Sequence, residues 1–272
     1  KGRVQIELLK QLRKDKFDLS INICEGHLNP LIYAADIPKR IAYIQKHTRK
    51  DLFYLTDPIK FSGNFTGISP FFLELLKPLG IIEASSEIKL PSPKRTFNFG
   101  STFYKKRIAI HAGSKEKTKI WSSYQELINE LTKDKSIQVI LTGTPGEIHN
   151  IQEGPQTLNL IAKTSLTDLI KLYASVDLVI GNDTGPLHIA RALGTPSITL
   201  FGPVSPSILG NAPLKHSHYF SKEVSCRPQD SRLFGIPVKG LKRCHLSNCS
   251  HHTCMHKITV QEVFKKSMHL IY

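Results

Sequence analysis

Residues 177–203, DLVIGNDTGPLHIARALGTPSITLFGP, constrain this chain more than any other stretch. An apolar β-rich run over 177–181 gives way to helical spacing over 186–193, and then to a second β-rich run over 197–201. Pro186 suits the first helical turn, and Gly194 stops the helix just past its end. A strand, a helix and a second strand packed this tightly form a right-handed crossover, which belongs in a parallel sheet. Between the first strand and the helix sit Asn182, Asp183, Thr184 and Gly185. Backbone N–H groups at a helix start, aided by the helix dipole, favour an anion. Asp183 would repel bare phosphate yet accept hydroxyls, so a phosphate linked to a nucleotide fits the loop better. His188 lies one turn in, placed to donate to a phosphate or leaving group; a packed helix histidine fits the same position.

The Asp-Thr-Gly triplet also occurs in aspartic proteases, which set two copies against each other and follow them with β-structure. Here one copy precedes a proline and a helix, so that chemistry is excluded.

The same alternation of strand and helix precedes this segment. Strands are expected at 107–112, 138–142 and 158–160, and helices after the capping boxes Ser122/Gln125 and Ser165/Asp168. Residues 147–152 read as a short helical stretch, and a third box, Thr259/Glu262, opens a terminal helix to Leu270. Upstream, helices are expected at 4–14, 30–35 and 70–79, the last capped by Ser69 and ended by Gly80. Strands fall at 18–24 and 40–44, while 45–69 reads as irregular. Residues 84–104 are rich in Ser, Pro and Lys and read as a linker. The expected division is 1–104, 105–258 and a terminal helix at 259–272.

In open α/β sheets, ligands bind beyond the carboxyl ends of the strands, so the loops after 107–112, 138–142 and 177–181 are expected to converge. In the first loop Gly113 admits close backbone approach, Ser114 adds a hydroxyl and Lys119 a positive charge, a set suited to a diphosphate. A solvated Lys-rich loop with Trp121 in the core is the alternative. The second loop is tight and small, and its Glu147 could accept from a base or ribose.

With 37 Lys+Arg against 22 Asp+Glu, the formal charge of +15 implies an anionic partner. The basic residues are spread along the chain, without zinc-finger spacing or an aromatic RNA-binding motif, so nucleic acid is not expected. No apolar run reaches the length of a bilayer span. Five cysteines, an odd number, fit a reducing cytoplasm rather than a disulfide scaffold. Cys226, Cys244, Cys249 and Cys254 gather near the end with His245, His251, His252 and His256. Their spacing lacks a tight C-x2-C knuckle, so free thiols are expected rather than zinc.

Taken together, these segments resemble glycosyltransferase family 9, the lipopolysaccharide heptosyltransferases. The resemblance runs in order through Ala112, Gly113, Ser114, Lys119 and Trp121, then LTGTPGE, then the long segment from Lys163 to Pro203. CMHKITVQEV near the end and, less specifically, QLRKDKFDLSINI near the start extend it. The resemblance implies a GT-B architecture: two Rossmann-like domains facing a cleft, the N-terminal one incomplete, with an ADP-sugar donor on the C-terminal one. It implies inverting transfer of a heptose-type sugar to the lipopolysaccharide inner core, with no metal and no cofactor; no Asp-x-Asp motif occurs in the chain. It further implies that Gly113, Ser114 and Lys119 meet the donor phosphates and that Glu147 and Asp183 meet adenosine or sugar hydroxyls. Thr184, Gly185 and His188 would line the diphosphate and leaving-group side. The basic surface would then face a phosphorylated, lipid-linked oligosaccharide at the anionic inner-membrane surface.

One departure stands out. In the family an Asp on a glycine-containing loop, upstream of the LR-x-x-x-FD segment, serves as the base, and nothing in residues 1–17 matches it. No catalytic residue is therefore assigned, and roughly a strand, a helix and a second strand are expected to be absent. Two other readings follow: a non-catalytic nucleotide-sugar-binding remnant, or a basic zinc-containing nucleic-acid-binding protein built on the cysteine tail.

Overall fold

The computed structural model describes residues 2–23, 28–44, 49–60, 66–83, 85, 87–94, 96–100, 103–146, 151–209, 216–227, 231–233, 236–238, 244 and 249–272. The chain forms two compact units. The first takes residues 1–87, 207–211 and 228–243, and the second takes 88–206, 212–227 and 244–272.

The first unit runs α1 (Gly2–Asp15), β1 (Leu19–Asn22), α2 (Asn29–Ala34), β2 (Lys39–Ile44), α3 (Arg49–Tyr54), β3 (Asp57–Lys60) and α4 (Ile68–Leu73). Its main sheet is parallel in the order β1-β2-β3, and a separate short hairpin pairs Ser231–Leu233 with Ile236–Val238 antiparallel, neither of them among the expected strands. The period of two along β2 divides the core. Ile41 and Tyr43 pack with Phe71 and Leu75, while Ala42 and Ile44 pack on the other side with Leu55. Both α3 and β3 lie in the stretch that patterning reads as irregular. β3 escapes notice because it contains Pro58, a residue usually read as a turn. As an edge strand paired with β2 alone it tolerates the missing N–H. Gly67, not Ser69, precedes α4, which tightens into a 3₁₀ turn over Glu74–Leu79 because Pro78 cannot donate to an α-helical ladder. Gly80 ends it in the left-handed conformation, φ +78°, as expected from its position.

The second unit runs β4 (Lys106–His111), α5 (Tyr124–Leu131), β5 (Ile137–Thr142), β6 (Thr157–Asn159), α6 (Leu166–Tyr173), β7 (Leu178–Asn182), α7 (Gly185–Ala192), β8 (Ser197–Phe201), β9 (Ser217–Ser221), α8 (Thr253–His256) and α9 (Val260–Ile271). All six strands are parallel, in the order β6-β5-β4-β7-β8-β9. One face carries Ile108, Ile110, Leu178 and Ile180 against Trp121 and Leu127 of the α5 side and Val263 of α9. The other carries Ala109, Ile140 and Val179 against Leu172 and Tyr173 of α6 and Leu187 of α7. With both faces covered, β5, β7 and β8 are buried at every residue. β9 was not among the expected strands: its sequence, SHYFS, is half-buried throughout and shows no apolar run.

The caps divide. Thr259 and Glu262 make a full capping box, and Ser165 accepts from the Asp168 N–H at 3.1 Å. Ser123, not Ser122, precedes α5, and it makes no side-chain cap. Gln125 turns instead to Asn129 at 2.8 Å and to the Gln152 N–H at 2.6 Å. The described residues of the Pro- and Ser-rich stretch after residue 88 have no regular secondary structure, yet the stretch is anchored to the second unit. The Leu90 N–H reaches the Ala192 carbonyl at 2.7 Å, the Phe97 N–H reaches Ser175 Oγ at 3.0 Å, and Phe97 and Phe99 pack on the α6–α7 core.

Candidate functional site

From β4 the chain builds outward to β5 and β6, then returns to lay β7 on the other side of β4. The order reverses between β4 and β7, and the two following loops flank that switch point, where open α/β sheets bind ligands. α7 sits directly on this junction because Gly181 has no side chain. A Cβ there would come within 2.7 Å of the His111 carbonyl oxygen and would overlap Leu187.

Asn182 ties the two loops together. It is fully buried, and its side chain bonds to three places. Nδ2 donates to the Ala112 carbonyl at 3.0 Å, and Oδ1 accepts from the Trp121 N–H at 3.2 Å and the Tyr124 hydroxyl at 3.0 Å. Read from sequence as one of the polar groups offered by the loop, Asn182 instead faces inward and holds the 112–121 segment to the end of β7. The available signal was its place as last residue of an apolar strand, where a polar side chain must find partners. Trp121 is buried as well and donates Nε1–H to the Ile258 carbonyl at 3.0 Å, which joins the same loop to the start of the terminal helix.

The next residue, Asp183, turns the other way and is the hub of the polar groups. The Lys119 ammonium lies 3.4 Å from its Oδ2 and 3.3 Å from its carbonyl oxygen, and 3.5 Å from Glu116. His188 Nε2 lies 3.7 Å from Asp183 Oδ1. The carboxylate side chain is only 10% exposed and that of Lys119 17%, while His188 is about half-exposed, at 45%. A lysine and a carboxylate this sheltered attract more strongly than an exposed pair, and Lys119 offsets the charge that would repel a phosphate at Asp183. Burial pushes the His188 pKa down. The Asp183 carboxylate pulls it back up, and Arg191 and Lys119 push it down again, with a net lowering. The balance of these effects favours the neutral imidazole.

Of the residues singled out from sequence, Gly113, Ser114, Lys119, Asp183 and Thr184 lie on the two loops at the switch point, and Gly185 and His188 lie in the first turn of α7 that follows the second loop. Gly113 and Ser114 are buried, and Ser114 Oγ accepts from the Glu116 N–H at 3.1 Å, shaping the turn. Thr184 precedes α7 in extended conformation without a side-chain cap; its hydroxyl reaches the Asn182 carbonyl at 3.3 Å. Gly185 opens the helix, with nothing within 4 Å of where a Cβ would stand. Glu147 and the short helix expected around it lie outside the described residues, apart from residues 151 and 152, which have no regular structure. Arg191 was missed. One turn beyond His188, its Nη1 lies 3.4 Å from His188 Nδ1, and its guanidinium lies over the Tyr219 ring of the unexpected strand β9, 5.4 Å from the centroid.

The second gathering of reactive side chains is the tail. Cys226, Cys244, Cys249 and Cys254 are free thiols, and together with His251 and His252 they line one pocket of the second unit. Cys249 Sγ lies 3.5 Å from His251 Nδ1. Among the described residues, no three His, Cys, Asp or Glu side chains are placed to hold a metal ion. His245 lies outside the described residues. Burial pushes the Cys254 thiol pKa up, the opposite of what a metal-binding thiolate needs.

The model of glycosyltransferase family 9 (heptosyltransferase) matches residues 5–233, most of the sequence. The chain belongs to this family. Among relatives of this family 9 chain, lipopolysaccharide heptosyltransferase 1 of Campylobacter coli is 36% identical over 109 residues, 36% of this chain and 32% of that protein. The lipopolysaccharide core heptosyltransferase OpsX of Haemophilus influenzae is 28% identical over 214 residues, 72% of this chain and 60% of that protein. The matched stretches thus span less than two thirds of either relative. Two solved structures share the fold. ADP-heptose heptosyltransferase II of E. coli superposes with a TM-score of 0.67 at 20% identity, over 98% of this chain and 80% of that one. The E. coli heptosyltransferase WaaC with ADP gives 0.59 at 17% identity, over 99% and 78%. The two parallel-sheet units are the Rossmann-like halves of the GT-B fold. None of the described helices is long and apolar enough to cross a membrane.

Proposed function

We propose that this chain transfers a heptose-type sugar from an ADP-sugar to a lipopolysaccharide inner-core acceptor, with inversion and without a metal. The observation that carries this reading is the Lys119–Asp183–His188 group at the β4/β7 switch point, a cation, a hydroxyl acceptor and a neutral N–H donor side by side. The names of the relatives, one of them solved with ADP, support the donor. In this reading the diphosphate lies against the Gly113–Ser114 backbone and the start of α7. Lys119 swings from Asp183 toward it, and Asp183, freed, takes hydroxyls of the sugar or adenosine, with Glu147 on the base and ribose side. The acceptor hydroxyl oxygen attacks the anomeric carbon from the face opposite the diphosphate. The bond to the diphosphate oxygen breaks, and ADP leaves with the electron pair. Lys119 and the His188 N–H stabilise the charge that grows on that oxygen. The base that takes the acceptor's proton is not assigned to any residue of this chain.

The formal charge of +15 fits a phosphorylated, lipid-linked acceptor and peripheral contact with an anionic membrane surface from the cytoplasmic side. Calorimetry tests the donor site: Asp183→Ala should weaken ADP-heptose binding at least tenfold, about 1.4 kcal/mol. Unchanged affinity would refute the assignment. Sugar transfer to isolated inner-core acceptor tests the activity, and donor binding without transfer would make the chain a nucleotide-sugar-binding protein.

A further inference from the structure

The polar groups around His188 form an alternating row. A guanidinium can only donate, so Arg191 Nη1, 3.4 Å from Nδ1, meets an imidazole nitrogen that must be a lone pair. A deprotonated carboxylate can only accept, so Asp183 Oδ1, 3.7 Å from Nε2, faces a nitrogen best occupied by a proton. The far oxygen of Asp183 is taken by Lys119 at 3.4 Å. Every group facing the ring thus favours the same arrangement, and the packing of Arg191 over Tyr219 holds the guanidinium in place.

We infer that Arg191 is a positioning residue that fixes His188 as the Nε2–H tautomer, so that the imidazole presents a neutral N–H donor on the Asp183 side of the site. A second proton would have to enter at Nδ1, straight against the guanidinium. Arg191 therefore opposes the imidazolium through geometry as well as through charge. The charged groups around the ring are Asp183 from the β7–α7 loop, Lys119 from the β4–α5 loop and Arg191 from α7 itself. The consequence for chemistry is that His188 meets the donor's diphosphate as a hydrogen-bond donor and leaves the positive charge to Lys119. This last step rests on the donor-site reading, whereas the tautomer does not.

Nitrogen-15 NMR of the imidazole in the full chain, ligand-free at neutral pH, reads the tautomer directly. The wild-type protein should show Nε2 protonated and Nδ1 as the acceptor; an Nδ1–H ring, or an even mixture, overturns the inference. Arg191→Met keeps the reach and the packing on Tyr219 but loses the donors. It should lower the Nε2–H population and move the His188 titration midpoint up, and Arg191→Lys should restore both in part. An unchanged tautomer and midpoint in a folded Arg191→Met protein would likewise reject the role. ADP titration then separates the two ideas: affinity should fall about fivefold in Arg191→Met, the worth of one ordinary hydrogen bond. If ADP binds neither form while the tautomer holds, the donor-site reading fails and the positioning role of Arg191 stands.

Discussion

The two units answer the same structural problem to different depths. In the second, the central strands are buried at every residue, β5 for all six positions, because α5 and α9 cover one face and α6 and α7 the other. In the first, β1 has the pattern exposed, half-buried, exposed, buried, and Leu19 and Ile21 are each 36% exposed. Its core is concentrated instead on β2, whose two faces feed two small clusters. The difference explains where precise chemistry is best supported. Loops at the ends of β4 and β7 start from strands that cannot shift without disturbing two packed layers, so the side chains they carry hold their separation.

Core substitutions should separate the units most strongly. Leu127 is fully buried among the residues between α5 and the sheet, and Leu127→Ala should cost about 2–5 kcal/mol. Ile21→Ala on the exposed side of β1 should cost less than about 1 kcal/mol. Trp121 is the only tryptophan of the chain and lies in the second unit, so its fluorescence in a urea titration reports that unit. Leu127→Ala should shift this transition far to lower urea, and Ile21→Ala should leave it nearly unchanged. Equal shifts would mean that the two units unfold as one.

Asn182→Asp probes the tie between the loops and should come next in size. The aspartate keeps both acceptor contacts, to the Trp121 N–H and the Tyr124 hydroxyl, but sets a carboxylate oxygen against the Ala112 carbonyl in a fully buried place. Losing the donor and burying a charge there should cost about 3 kcal/mol. The same fluorescence transition measures it, and a loss under about 1 kcal/mol would show that the loops are held by other contacts.

What patterning could read follows the same division. Long strands buried on both faces announce themselves as apolar runs, so 107–112, 138–142, 177–181 and 197–201 were legible to within a residue or two. Among the strands it missed, β3 carries Pro58 and β9, SHYFS, is half-buried with polar residues around Tyr219 and Phe220, and both stand at a sheet edge. The places of the candidate site residues at the β4/β7 switch point were legible because they sit where the sequence changes from strand to helix. The roles of Asn182 and Arg191 were not, because they depend on partners far away in sequence: Ala112 lies 70 positions from Asn182, and Tyr219 lies on β9. Ser122 and Ser69 show the reverse failure, local cap signals that lost to a neighbour one or two residues away.

Within the site, Lys119→Ala should separate phosphate recognition from recognition of the nucleoside. The ammonium is held by Asp183 before any ligand arrives, so its removal also leaves that sheltered carboxylate without its cation. Binding of ADP should weaken by about tenfold, and binding of adenosine by about threefold or less. Calorimetry with both ligands gives the ratio, and equal losses would argue against a phosphate contact.

The smallest expected effect lies at the terminal helix, where Glu262 joins the cap of α9 to Lys222. The bond from Lys222 and the Thr259 N–H hold its pKa down, from 4.5 to about 2. A carboxylate depressed on folding adds stability above its unfolded pKa, and this is lost as pH falls from about 4.5 through about 2. The side chain is 39% exposed, so solvent screening limits its contribution to less than about 1 kcal/mol. Glu262→Gln should therefore lower the Trp121-reported stability slightly at neutral pH, and the gap from wild type should narrow below pH about 4.5 and close as pH falls through about 2. Trp121 is a direct witness, since its indole donates to Ile258, the residue just before the capping Thr259. A gap that stays constant across that range would assign the effect to packing of α9 rather than to the charge.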